Sequence, residues 1–344
     1  MLTVEEATVI SIETSDDSIQ LVTASRTSDG RRTKCINYAA LNADVAIGDQ
    51  VLLNTTAGTL NLGTGGSDFI LANLSSPLRE RPASSGHIIK WRYTPLQHSV
   101  LTLEENPMYK DEWEKDLAGM PVVVGQLHSQ LLPAAAGLKQ AGANRIGYVM
   151  TDSASLSMSL SNDVRVAKKH SLIAETYSAG QCSGGDHETV TVHSALLAAK
   201  HIHHLDAVVV CQGPGNAGTG TKYGFGGIEL AQYIDVANQL GGRAFAIARC
   251  SSADLRPRHQ GLSHHTRTAL DLACTSCTLG LPQGFLINYA HTRHNVIFID
   301  GCDEVIESLS KFGIVLTSMG RTYAEDALYF HAGAAAGIAA GKAI

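Results

Sequence analysis

From Thr3 to about Leu74 apolar and polar residues alternate in short runs: "ATVISIET", "SIQLVTAS", "TKCINYAAL", "DQVLLNTT" and "DFILANL". A period of two is that of a half-buried strand. Turn signals at Ser15-Asp16-Asp17, Ser28-Asp29-Gly30, Ile47-Gly48-Asp49 and Gly63 to Gly66 separate the runs. Short strands at this spacing predict a small β-barrel or sandwich over residues 1–85. Ser75 to Gly86 is polar and carries Pro77 and Pro82, as a linker does. "HIIKWRYTPLQHSVLTLEE" then returns to strand-like alternation, so 86–119 reads as a hairpin or linker segment.

After Met120 the rhythm changes. Apolar strands at "PVVVGQL", "RIGYVMT", "LIAETYS", "DAVVVCQ", "RAFAIARC" and "NVIFID" alternate with helical patterns, among them "LLPAAAGLKQAG", "SNDVRVAKKH", "TVTVHSALLAAKHIHH", "IELAQYIDVANQLGG" and "SHHTRTALDLACTS". Strand, helix, strand in repetition predicts a mostly parallel sheet covered on both faces, a Rossmann-like three-layer α/β domain over 120–344. The tail "HAGAAAGIAAGKAI" places Gly333, Gly337 and Gly341 on one helix face. Such a face suits close packing, on the sheet or on a second subunit, and a homo-oligomer through this helix is one expectation.

In open parallel sheets ligands bind outside the carboxyl ends of the strands. Those ends bring His128, Asp152, Gly184-Gly185-Asp186, the loop after Gly213 and Asp254 to one rim. The loop "CQGPGNAGTGTKYGFGG" matches the dinucleotide fingerprint at Gly213, Gly215 and Gly218, but Gly220, Gly224, Gly226 and Gly227 follow where that fingerprint needs a helix. The next strand also ends in Arg249-Cys250 instead of an acidic residue, so an NAD(P)-dependent oxidoreductase is the weaker alternative. Two readings of the loop stay open: backbone N–H groups with Thr219, Thr221 and Lys222 cradling an anion, or a tight crossover packed on its neighbours.

"SSADLRPRHQGLSHHTR" gathers Asp254, Arg256, Arg258, His259, His264, His265 and Arg267 after the following strand. Guanidinium forks recognise carboxylate or phosphate and imidazoles move protons near neutral pH. The alternative is a solvated helix start capped by Ser263. Divalent metal binding by the histidines is possible, although adjacent side chains diverge on a helix. In "SAGQCSGGDHETVTVHSA" Gly184-Gly185 reads as a turn into a helix, with Asp186 and His187 in its first turn as an acid–base pair or as groups favoured by the helix dipole. Cys182 and Cys211 lie near the rim without a sequence-local base. Cys274 and Cys277 have metal-like spacing but no second pair.

"NYAALNADVAIGDQVLLNTTAGTLNLGTGGSDFILAN", "GHIIKWRYTPLQ", "YVMTDSASL", "GGDHETV", "GPGNAGTGTKYGFGG" and "DLRPRHQGLSHHT" together resemble a bacterial family defined by domain of unknown function 3866. The resemblance covers most of the chain, from the first strands to the SHH segment. It implies no catalytic residues, substrate or cofactor. The chain departs from the family pattern at Cys182, where an apolar or aromatic residue is expected, and at "MTDSASL", which replaces a more Gly- and Ala-rich version. A family-wide role for Cys182 is thereby put in doubt.

Composition narrows the partners. With 44% hydrophobic and 17% charged residues the chain is globular, and its formal charge of −6 gives no general pull toward nucleic acid or an anionic membrane. Seven cysteines, an odd number, argue for a reducing, cytoplasmic setting over a disulfide framework. The acidic start lacks the pattern of a signal peptide, and no apolar run is long enough to span a membrane. The expectation is an enzyme, a hydrolase or transferase, acting on a small anionic and possibly phosphorylated metabolite. A non-catalytic ligand-binding or assembly protein is the alternative.

Overall fold

A computed structural model of the chain describes residues 2–60, 66–76, 86–287, 289 and 293–344. Most of the Gly63 to Gly66 turn and of the Ser75 to Gly86 linker lies outside the described residues. The chain divides into two units, Met1–Ser84 and Ser85–Ile344.

In the first unit five strands close a barrel: β1 (Val4–Ser15), β2 (Ile19–Arg26), β3 (Arg32–Tyr38), β4 (Gln50–Asn54) and β5 (Ser67–Asn73), in the order β1-β2-β3-β5-β4 with β1 pairing β4. All pairs are antiparallel except β3–β5, so the chain must cross the barrel between β3 and β4. A single helical turn, α1 (Ala39–Asn42), begins that crossing, and another, α2 (Thr56–Thr59), follows β4. Alternate residues such as Val9, Val22, Ala24, Cys35, Val51, Leu53 and Ile70 point inward and form the core, as the period of two dictates.

The second unit opens with the antiparallel hairpin β6 (Ile88–Lys90) and β7 (His98–Val100). Segment 86–119 therefore belongs to the same unit as the α/β body. Lys90 fastens it there: this fully buried ammonium donates to the carbonyls of Ser178 (3.2 Å), Cys182 (2.7 Å) and Thr189 (3.0 Å), and stands 3.3 Å from a Glu188 carboxylate oxygen.

The body is an all-parallel eight-stranded sheet. Its elements in chain order are β8 (Pro121–Val124), α3 (Leu131–Gln140), β9 (Ile146–Thr151), α4 (Asn162–Lys169), β10 (Glu175–Ser178), β11 (His187–Glu188), α5 (Val192–His201), β12 (Ala207–Gln212), α6 (Leu230–Gln239), β13 (Arg243–Ile247), the small ribbon β14 (Cys250–Ser251) and β15 (Gly261–Leu262), α7 (His264–Leu272), β16 (Thr278–Pro282), β17 (Asn295–Ile299), α8 (Cys302–Lys311) and α9 (Ala327–Gly341). The sheet order is β11-β10-β9-β12-β8-β13-β16-β17. The expected helix-covered parallel sheet is present. The order differs from the Rossmann series 3-2-1-4-5-6, because the first strand of the body lies between β12 and β13.

Residues of α3, α4, α8 and α9 share one core with one sheet face, and those of α5, α6 and α7 share another with the opposite face. Strand β9 leads through α4 to one side and β12 through α6 to the other. Neighbours that diverge onto opposite faces leave a crevice at their carboxyl ends, and β12 diverges in this way from both its neighbours, β9 and β8, the latter leading to α3.

Helix α9 is buried almost all round, and its glycine face is occupied inside the chain. A Cβ on Gly337 would lie 2.1 Å from the Ala134 carbonyl oxygen of α3, and one on Gly333 2.8 Å from Pro133. Of the two expected uses of this face, packing within the chain is the one present, with α3 as the element it meets.

Candidate functional site

The crevice is floored by amides. At the end of β12 the Gln212 side chain donates to the Gln126 carbonyl (2.8 Å) and to Asn216 (2.7 Å), and accepts from Ser153 (2.8 Å). Gln126, after β8, donates to the Gly227 carbonyl (3.2 Å) and accepts from the Thr266 hydroxyl of α7 (2.7 Å). Gln126, Gln212 and Thr266 are buried, and a satisfied buried polar network holds its members in one arrangement. Here lies one reason for the glycines: a Cβ on Gly227 would stand 2.8 Å from the Gln126 carbonyl oxygen, so only glycine lets the chain pass over the amide floor.

At one end of this floor is Glu229, in the short helical turn that precedes α6. Its carboxylate accepts from the Thr151 hydroxyl at 2.5 Å. Burial raises its pKa to about 7, opposed by the hydrogen bond from Thr151 and assisted by the nearby Asp152 charge. Beside it a cavity of about 190 Å³ is lined by Thr151, Asp152, Gly180, Thr191, Gln232 and Tyr233 among others. Asp152 accepts from the Gln181 N–H (2.9 Å).

At the other end stand the imidazoles and guanidiniums. Gly218 and Phe225 pair in a short antiparallel bridge, closing residues 218–225 into a hairpin. The Phe225 ring lies flat on His265, with centroids 3.8 Å apart and 4° between the planes. Buried Arg249 reaches His265 Nδ1 (3.2 Å) and Asp254 (3.5 Å). Asp254 also takes a bidentate pair from Arg256 (2.9 and 2.8 Å), which holds its carboxyl well below the usual range. Arg321 approaches both Asp254 (3.6 Å) and Asp326 (3.1 Å). Burial, reinforced by Arg249, lowers the pKa of His259 and His265 to about 3, and burial with Arg258 and Arg249 lowers that of His264. All three imidazoles are neutral at pH 7.

The two sequence clusters expected to hold an anion thus come together, the hairpin after Gly213 against the segment from Asp254 to Arg267. Individual residues take different parts. Arg258 is exposed beside Gly220, whose Cβ would lie 3.5 Å from the guanidinium. Thr219 and Thr221 close the hairpin, the first donating to the Gly224 carbonyl (3.0 Å) and the second accepting its N–H (3.1 Å). Lys222 lies over the Tyr223 ring, 5.1 Å from its centroid. Gly213 packs against Met150 and Ser155, while Gly215 makes an open turn at φ 101°. Asp254 and Arg256 neutralise each other. Arg267 is half-buried on α7, its Nε without a partner among the described residues.

Asp186 and His187 require correction. No helix starts there: His187 and Glu188 form the edge strand β11, and α5 begins at Val192 behind the Thr191 cap. Asp186 is held by the Thr176 N–H (3.0 Å), the Thr176 hydroxyl (2.9 Å) and Lys168, and His187 by Glu175 (3.1 Å) and stacking on His203. Four strands separate β11 from β13, a distance of about 24 Å at ordinary strand spacing. These two residues are not part of the histidine cluster. His128 lies behind the rim, bonded to Ser161 (2.5 Å) and Tyr148 (3.2 Å), its pKa lowered by burial to about 4. Burial raises the Cys182 and Cys211 thiols, which removes the thiolate a nucleophile needs.

Sequence reading did not single out Glu229, Gln126, Gln212 or Thr151. Their signal was positional: each lies at or within two residues of a strand's carboxyl end, or in the first turn after the glycine loop.

No curated protein matches the chain. The model of the family described as protein of unknown function (DUF3866) matches residues 34–337, from the third barrel strand to the last helix, and the chain belongs to that family.

Proposed function

We propose that this chain is an enzyme, a hydrolase or transferase, acting on a small anionic metabolite. The observation that carries the reading is the packing of the 218–225 hairpin on His265. It joins a cationic, N–H-rich end to a floor of fixed amides whose far end carries Glu229. The Arg249, Arg258 and histidine end binds the anion. Glu229, with a pKa near the working pH, transfers the proton. Gln126 and Gln212 hold the two ends in register. Neutral imidazoles in a guanidinium frame offer N–H donors and remain available as proton acceptors.

The seven cysteines are all free, as suits a reducing compartment, and no helix among the described residues is long and apolar enough to cross a membrane. A non-catalytic ligand-binding protein would share the anion end but have no use for Glu229. Turnover is therefore screened with sugar phosphates, nucleotides and phosphorylated acids, using wild type and Glu229→Gln. The expected result is turnover of one substrate class, lowered about 100-fold or more in Glu229→Gln while binding persists. Binding without turnover in either protein would overturn the enzyme reading.

A further inference from the structure

We infer that His259, His264 and His265 form a site for a tetrahedral oxyanion, a phosphoryl or sulfuryl group, and are not a divalent-metal centre. The inference rests on the anionic-substrate reading above and names the group that is bound.

Three converging imidazoles invite a metal, and one ring nitrogen of each lies within 4.8 Å of the others. Their hydrogen bonding says otherwise. A metal-bound histidine normally gives its second N–H to a carboxylate or carbonyl. His265 does the reverse. Its Nδ1 faces the Arg249 guanidinium at 3.2 Å, and a guanidinium only donates, so Nδ1 is the acceptor and the proton sits on Nε2. Coordination through Nε2 would remove that proton and leave an imidazolate.

The charges agree. Arg249, Arg256, Arg258 and Arg321 outnumber Asp254 and Asp326, a field that repels a dication and attracts a dianion. Two buried nitrogens of the cluster lack partners among the described residues: Nε of Arg249, a side chain only 3% exposed, and Nε2 of His264. The rings around them are fixed, His265 by Phe225 and His259 by a 2.7 Å hydrogen bond between Nδ1 and the Ser263 hydroxyl. N–H donors held in this way, with exposed Arg258 beside them, match the oxygens of a tetrahedral dianion.

The test is calorimetric titration of the full chain in chelator-treated buffer with inorganic phosphate, sulfate and acetate, and separately with Zn²⁺ and Co²⁺. Expected are saturable binding of phosphate and sulfate, acetate weaker by about tenfold or more, and no histidine-ligated Co²⁺ absorption band. His264→Phe keeps the ring and removes its nitrogens, and should weaken phosphate binding about tenfold. Arg258→Gln, an exposed change that leaves the fold undisturbed, should weaken it by a smaller factor. A Co²⁺ band with phosphate binding only after metal would overturn the inference. Acetate binding as tightly as phosphate would overturn the tetrahedral class and leave the anionic-substrate reading standing. Binding of no anion would sink both.

Discussion

Lys90 makes the sharpest stability prediction. Its ammonium is fully buried, its three N–H bonds are matched by three carbonyls, and its charge is balanced by Glu188, whose side chain is 14% exposed. Burial lowers the Lys90 pKa while Glu188 pulls it upward. Lys90→Met keeps the length and apolar stem, but takes a donor from three buried carbonyls, of which Ser178 keeps another in the Thr189 N–H (3.0 Å), and leaves Glu188 without its counter-charge. Removing one partner of a buried pair costs about 3–5 kcal/mol. The lower part of that range applies, because Glu188 retains the Gly184 N–H (2.7 Å) and some contact with water. For a unit of this size about 3 kcal/mol lowers the melting temperature by roughly 6–12 °C. The chain's two tryptophans, Trp91 and Trp113, both lie in segment 86–119, so their fluorescence in a urea titration follows the fastened segment directly. Glu188→Gln combined with Lys90→Met should cost less than the two single changes added, because the stranded charge is gone. A loss below about 1 kcal/mol in Lys90→Met, or strict additivity in the double variant, would refute the reasoning.

Gly337→Ala places a methyl group 2.1 Å from the Ala134 carbonyl, so α9 must move off α3; a loss of about 2 kcal/mol or more is expected by thermal melting, with the mass in light scattering unchanged. For Glu229 the folded pKa of about 7 lies above the ordinary 4.5, so the folded state holds the extra proton and its stabilising effect is lost as pH rises from about 4.5 through 7. Glu229→Gln should flatten the decline in melting temperature across that window, and an unchanged decline would contradict the assignment. His259 and His265 act in the opposite sense: folded pKa values of about 3 mean that stability falls as pH drops below about 6.5 toward 3, and His259→Phe should reduce that acid sensitivity.

The barrel strands, the helix-covered parallel sheet and the convergence of the Gly213 and Asp254 segments were legible because each depends on local periodicity and on the rule that loops gather at strand carboxyl ends. Strand β11 was not legible: two residues carry no period, and Asp186 is drawn beside β10 by Thr176 and Lys168, partners that no local pattern announces. Strand β16, "TLGLP", is short and glycine-containing, and its place is set by α9, where a Cβ on Gly280 would meet the Ala335 carbonyl oxygen at 2.8 Å. In the site, charged and imidazole residues announce themselves by type. Gln126 and Gln212 do not, since an amide matters here only through partners far away in the chain. The glycine face of α9 was correctly read as a close-packing surface, but sequence could not say whether α3 or a second copy would meet it.

The sheet order also bears on how the chain acquires this site during synthesis. Strand β8 is the first strand of the body to leave the ribosome, yet both its neighbours come much later. Gln126 finds Gln212 86 residues downstream, Gly227 101 residues downstream and Thr266 140 residues downstream. Contacts of such separation pay their loop-closure entropy before they return any stability, and they slow folding. Until Arg243–Ile247 has been made, the apolar run "PVVV" has an open edge on at least one side, which exposes it to mispairing in a nascent chain. The amide floor is therefore among the last features of the body to form, and a chain truncated before α7 retains its glycine loop, Arg249 and Arg258 but lacks His264, His265 and the Thr266 hydroxyl that ties Gln126.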